Sequence, residues 1–191
     1  MVVELHLVMG PMFAGKTTYL LNKVNDLLSV NIISDDIFLI NHSSDSRYDI
    51  NKIYSHNGLH YNATSLSQLS DILDILKLKP NIKYIFIDEA QFFNDLYNTI
   101  ISILLANAQQ NEFPLLECIY LFGLDSDFKQ EPFYNSKMLD LIPYSKTINK
   151  LLAKCTICQD PAMCTKRINT SKEQILVGGL NDYQPRCIKH L

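Results

Sequence analysis

Glu4-Leu5-His6-Leu7-Val8-Met9 runs without a break into Gly10-Pro11-Met12-Phe13-Ala14-Gly15-Lys16-Thr17-Thr18. The first six residues read as a buried strand. The next nine contain Gly10-x4-Gly15-Lys16-Thr17, a Walker A loop. Its glycines let the backbone wrap phosphate oxygens with successive N–H groups pointing inward. Lys16 supplies a cation for the β- and γ-phosphates, and the Thr17 hydroxyl suits Mg²⁺. Beyond the loop, Leu20, Leu21, Val24, Leu27 and Leu28 recur at helical spacing. By chance the loop pattern arises in on the order of one chain per hundred of average composition. A strand before it and a helix after it remove most such coincidences, so the stretch predicts a nucleotide site on an α/β fold.

Outward from this unit, residues 37–40, 83–87 and 118–122 are short apolar runs of strand type. Residues 41–57 are mostly polar and read as a loop with a short strand. Leu66, Leu69, Ile72, Leu73 and Leu76 predict an amphipathic helix closed off by Pro80, and another helix is predicted over residues 96–108. This alternation implies a parallel sheet with right-handed crossovers and helices on both faces, a RecA-like P-loop architecture. The run at 83–87 ends in Asp88-Glu89. Strand ends in such sheets open into the ligand crevice, so Asp88 faces the phosphates and holds Mg²⁺. Glu89, one residue on, can accept a proton from an attacking hydroxyl. A solvated acidic turn is the weaker alternative beside a Walker A loop.

The texture changes near residue 147. Residues 1–146 form the expected nucleotide-binding part, and residues 147–191 a small subdomain with short strand-like pieces and four of the five cysteines. Cys155-x2-Cys158 and Cys187-x2-His190 are separated by 28 residues. Two such pairs on facing knuckles give four ligands for a closed, structural Zn²⁺, a zinc-ribbon-like site. The separation exceeds the usual ribbon spacing of roughly 12–20 residues, so a sizeable loop lies between the knuckles. Two unrelated buried thiols and a terminal His are the bland alternative. Cys164 fits neither pair and takes no role. Cys118, inside an apolar strand, reads as a core thiol.

Composition narrows the classes. The 191 residues are 47% hydrophobic and 19% charged, enough for a sizeable core and incompatible with disorder or a disulfide scaffold. Net charge is −3 and the pI near 5.9, far from the basic footprint of a nucleic-acid binder. No apolar run approaches the roughly 20 residues a bilayer requires. Glu4 comes early and no cationic segment precedes it, so a secretory signal is not expected. A reducing, cytoplasmic setting follows as the expectation, with cysteines as thiols or metal ligands.

The motifs together resemble type II thymidine kinases. The resemblance rests on residues 10–18, Asp45-Ser46-Arg47-Tyr48, Asp88-Glu89-Ala90-Gln91-Phe92-Phe93 and Gly123-Leu124-Asp125 with Phe128, Pro132 and Phe133. It continues through Thr165-Lys166-Arg167, Gly178-Gly179 and Tyr183, so it covers nearly the whole chain. It implies transfer of the γ-phosphate of ATP to the 5′-hydroxyl of thymidine, and of deoxyuridine. Gly10, Pro11, Met12, Phe13, Ala14, Gly15, Lys16 and Thr17 would hold the ATP phosphates. Asp45, Ser46, Arg47, Asp88, Glu89, Ala90 and Gln91 would complete that site. Lys16 and Arg47 would neutralise charge on the transferring group, with Glu89 as general base and Thr17 and Asp88 at Mg²⁺.

Met12, Phe92, Leu124, Phe128, Phe133, Thr165 and Tyr183 match positions around the deoxyribose and thymine. Gln174, Ile175, Leu176, Val177 and Gly178 match backbone that reads the base edge. A lasso loop over about residues 159–173, tied down by the zinc knuckles, would close over the nucleoside and exclude water. The resemblance further implies a homotetramer and feedback inhibition by thymidine triphosphate, in the cytoplasm of a cell or of a virus's host.

Departures are few: His190 stands where the last ligand is commonly Cys, and Ala90 where Gly is common. His56 matches a family His, to which no role is assigned. A nucleic-acid motor, suggested by Asp88-Glu89-Ala90-Gln91, is opposed by the acidic charge, the absence of room for a second motor domain and the lack of a basic stripe. A non-catalytic nucleotide sensor stays open on sequence alone.

Overall fold

A computed structural model describes residues 2–44, 52–54, 60–171, 173–176, 178–179 and 181–191. In chain order the elements are β1 (Glu4–Met9), α1 (Lys16–Ser29), β2 (Ile37–His42), β3 (Lys52–Tyr54), β4 (His60–Asn62), β5 (Thr64–Leu66), α2 (Ile72–Leu78) and β6 (Tyr84–Ile87). There follow α3 (Leu96–Gln110), β7 (Cys118–Gly123), β8 (Thr147–Lys150), β9 (Ala153–Lys154), β10 (Pro161–Ala162), β11 (Cys164–Arg167) and β12 (Tyr183–Arg186). Six strands make one parallel sheet in the order β5-β2-β6-β7-β1-β8.

Side chains alternate across that sheet, as a two-residue period requires. Leu5, Leu7, Met9, Ile40, Ile85, Ile87, Ile119 and Leu121 meet Ile72 and Leu76 of α2 and Leu96, Ile100 and Ile103 of α3. The intervening residues Val8, Leu39, Phe86 and Phe122 meet Leu20, Leu21 and Val24 of α1 on the other face. Phe86 stacks between Tyr120 and Phe122 with ring centroids 4.8 and 6.3 Å away. Each fully buried side chain of this kind stabilises the fold by about 1.5–3 kcal/mol, and this is the expected two-faced α/β sheet.

Two elements differ from the sequence reading. Leu66 ends β5, paired with His42 at the sheet edge, and Leu69–Asp71 is a 3-10 turn, so the expected helix begins only at Ile72. The cause is Asp95, whose carboxylate accepts the N–H groups of Leu69 and Ser70 at 3.0 and 2.8 Å. Leu66, Leu69, Ile72 and Leu76 share one core from three different elements, which imitates helical spacing. In the C-terminal part, Pro161–Ala162 pairs with Ala153–Lys154 and Cys164–Arg167 pairs with Tyr183–Arg186. Much of the expected 159–173 loop is therefore strand, and the long connection is residues 168–182. β8, placed with the C-terminal part, is the edge strand beside β1, so the sheet runs past the 146/147 division. Among the described residues no helix is long and apolar enough to cross a membrane.

Candidate functional site

The loop after β1 and the acids after β6 meet at the end of β7. Gly10 has φ +154°, and a Cβ there would lie 2.3 Å from the Leu151 carbonyl, so the loop packs backbone against backbone. α1 opens at Gly15 in the left-handed region with no acidic residue in its first turn, which leaves its positive end for an anion. Lys16 Nζ donates to the carbonyls of Pro11 and Gly10 at 2.8 and 3.2 Å. Thr17 Oγ1 donates to Asp88 Oδ2 at 2.9 Å. Burial first, and then the charge of Glu89, push the Asp88 carboxyl up to about 7. A divalent cation beside Thr17 and Asp88 would favour the ionised form.

Glu89 itself has φ +50° and lines an adjoining cleft. Gln91, assigned from sequence to the nucleotide, is buried and bridges Glu89 and Leu124. Its Nε2 donates to Glu89 Oε2 at 2.7 Å and its Oε1 accepts the Leu124 N–H at 3.0 Å. Gly123 makes this possible, since a Cβ there would meet Gln91 Oε1 at 2.6 Å.

The cleft measures about 520 Å³ including its open mouth, within the range of small-molecule sites. Eleven of the twelve residues matched to the nucleoside line it: Met12, Phe92, Leu124, Phe128, Phe133, Thr165, Gln174, Ile175, Leu176, Gly178 and Tyr183. The twelfth, Val177, lies outside the described residues, as do Asp45, Ser46, Arg47 and His56. Phe92 and Phe133 meet edge to face with centroids 6.2 Å apart. Thr165 Oγ1 accepts the Met12 N–H at 2.9 Å and so ties the phosphate loop to β11. Sequence reading missed Ser126 and Asp127 in the lining. Asp127 accepts the N–H groups of Lys129 and Glu131 at 2.7 and 3.0 Å and the Gln174 amide at 3.0 Å. The run Asp125-Ser126-Asp127 ahead of Pro132, all turn-forming types, was its only local signal.

Cys155, Cys158, Cys187 and His190 come together with all ligand atoms within 4.8 Å of one another. Cys158 Sγ lies 3.6 Å from Cys187 Sγ, and His190 Nδ1 lies 3.6 and 3.3 Å from the sulfurs of Cys155 and Cys187. A tetrahedral Zn²⁺ with ordinary bond lengths requires about 3.8 Å between sulfurs and about 3.6 Å from sulfur to nitrogen, so the set fits the metal. Burial pushes the Cys155 thiol up, but N–H groups of Cys158, Cys187 and Ile157 outweigh it and bring it to about 5. Cys164, buried on β11, stays outside the set.

At the opposite end of the sheet, register sets Glu4 beside Cys118, a half-buried thiol rather than a core one, with His6 next to them. His6 Nδ1 is 2.9 Å from Thr147 Oγ1, and Lys146 holds Glu4. Burial lowers the His6 pKa, with the Glu4 charge opposing it, and burial pushes the Cys118 thiol up to about 11.

Comparison with known proteins agrees with this geometry. A family model described as thymidine kinase matches residues 3–191. The chain is 35% identical over 189 residues to a thymidine kinase of fowlpox virus, covering 97% of this chain and 95% of the viral one. It is 33% identical over 189 residues to a thymidine kinase of Oryza sativa subsp. japonica, covering 98% of this chain and 65% of the rice protein's length. With thymidine kinase a of Arabidopsis thaliana the identity is 31% over 187 residues, covering 97% of this chain and 73% of that one.

Proposed function

This chain belongs to the thymidine kinase family, and from that premise we propose that it transfers the γ-phosphate of ATP to the 5′-hydroxyl of thymidine. The observation that carries the reading is the meeting in one cleft of Glu89 with apolar and backbone groups suited to a pyrimidine, beside the loop of Lys16 and Thr17. Glu89, held by Gln91, takes the proton of the attacking hydroxyl. Lys16, Arg47 and the N–H groups from Gly10 to Thr17 stabilise the equatorial oxygens of the transferring group. Thr17 and Asp88 would hold Mg²⁺, which would supply charge neutralisation for the phosphates. Cys155, Cys158, Cys187 and His190 would hold Zn²⁺ as a structural ion, all four ligands coming from the chain.

Phe92, Phe128, Phe133 and Tyr183 exclude water from the acceptor side. Residues 168–182, rather than 159–173, form the lasso. Activity in the cytoplasm, a homotetramer and inhibition by thymidine triphosphate are proposed with it, on the family resemblance alone.

A nucleoside panel with ATP and Mg²⁺ tests the substrate. Backbone groups around Leu176 and Gly178 meet an N3–H in thymine and uracil but a bare N3 and an amino group in cytosine. Two unpaired buried groups cost about 1–3 kcal/mol each, so kcat/KM for deoxycytidine should fall on the order of several hundredfold. Loss of the 5-methyl is worth about 0.8 kcal/mol, so deoxyuridine should follow thymidine closely. Comparable kcat/KM for deoxycytidine and thymidine would reject a thymidine-selective site.

A further inference from the structure

Arg167, at the end of β11, is only 7% exposed, yet among the described residues no carboxylate pairs with it. A buried guanidinium without a counter-charge is costly unless every donor is satisfied. Here every donor is. Nε donates to the Tyr183 hydroxyl at 3.2 Å, and Nη2 to the same hydroxyl at 2.6 Å and to the Gln174 carbonyl at 3.3 Å. Nη1 donates to the Ser171 carbonyl at 3.1 Å and to the Glu173 carbonyl. Those five bonds use the five N–H groups of the side chain. The guanidinium carbon also lies 3.8 Å from the centroid of the Phe128 ring, a cation–π contact on the face of a cleft residue. The Tyr183 hydroxyl, receiving from Arg167, donates in turn to the Leu176 carbonyl at 2.6 Å.

One fork thus holds the carbonyls of residues 171, 173 and 174 directly and that of 176 through Tyr183. Gln174, Leu176, Phe128 and Tyr183 line the cleft, whereas Arg167 does not. We propose that Arg167 is a positioning residue that preassembles the nucleoside-facing loop and thereby sets the affinity for the nucleoside. This rests on the proposed thymidine site. A loop already shaped loses less entropy when the nucleoside binds, and the phosphate loop, on the other side of the cleft, is untouched. Lysine cannot substitute, because three donors radiating from one point cannot reach carbonyls spread along an arc.

The test compares Arg167→Lys and Arg167→Met with the wild-type chain, zinc content being verified first. The expected result is a thymidine KM raised at least tenfold in both variants, with ATP KM and kcat at saturating thymidine within about threefold. Amide hydrogen exchange over residues 168–182 should accelerate in the variants without nucleoside and return toward wild-type rates with saturating thymidine. A thymidine KM within twofold of wild type in Arg167→Lys, with unchanged exchange, would overturn the proposal. So would a matched fall in activity toward both substrates together with a lower melting temperature, which marks a merely structural role. Should Arg167→Met fail to fold, the lysine variant carries the test alone. Failure of the wild-type chain to phosphorylate thymidine would instead remove the proposed function, while the exchange measurement would still decide whether Arg167 orders the loop.

Discussion

The two sides of the site are held together by different physics. The phosphate side is the end of a six-stranded sheet whose order comes from apolar burial on both faces, with Phe86, Phe122, Leu7 and Ile85 wholly enclosed. The nucleoside side is held by a small buried cluster of Ala153, Cys155, Ala162 and Cys187, by four metal-type ligands and by one arginine. Apolar burial is indifferent to chelators and tolerant of lost single contacts. Ligand sets and polar forks fail all at once when a member goes. The same chain therefore carries one robust half and one conditional half.

The largest effect should come from the conditional half. Removing zinc with a strong chelator, or Cys155→Ser, should abolish thymidine phosphorylation while the circular dichroism of the α/β sheet survives, because structural zinc contributes about 10–16 kcal/mol in small isolated sites. Elemental analysis finding no zinc in fully active protein would break the comparison outright. Next is Glu89→Gln, expected to lower kcat about 10²–10⁴-fold with thymidine binding retained by calorimetry. Near wild-type kcat would take Glu89 out of the chemistry.

Phe86→Ala probes the robust half. Its cavity should cost about 3–5 kcal/mol, lowering the melting temperature of zinc-loaded protein without changing either KM. A shifted thymidine KM would show that the halves are less separate than drawn. The smallest effect concerns His6. Burial holds its pKa below the ordinary value, so stability is complete above that value and declines as pH falls through about 6.5, where the unfolded chain takes up a proton more readily. His6→Gln should flatten the acid side of a melting-temperature profile, and an unchanged slope would remove His6 as its source.

Legibility in the sequence followed the same divide. β1, the phosphate loop and Asp88-Glu89 were readable because spacing along a few residues encodes them, and the paired Cys and His spacers were readable for the same reason. The cleft lining was reached only through family resemblance, since Phe128 or Tyr183 alone looks like any core aromatic. Arg167 stands in the Thr165-Lys166-Arg167 motif, but spacing assigns it no role, because its partners are mostly backbone carbonyls, which every residue carries. Leu66 was misplaced because strand, turn and helix deliver residues to one core at intervals that mimic a single helix. The strands within residues 159–173 are hidden in the sequence because β9 to β12 are two to four residues long, too short to show a period.

The Met12–Thr165 hydrogen bond and the contact of Gly10 with Leu151 join residues far apart in the chain. Exchanging C-terminal segments between relatives at residue 147 would part both couples. A recombinant keeping its own loop but receiving a foreign β11 would need Thr, or an equally short acceptor, at 165 and a backbone that still clears Gly10. In this chain the seam formed by residues 10–12 with residues 151 and 165 thus constrains recombination in a way that neither side does alone.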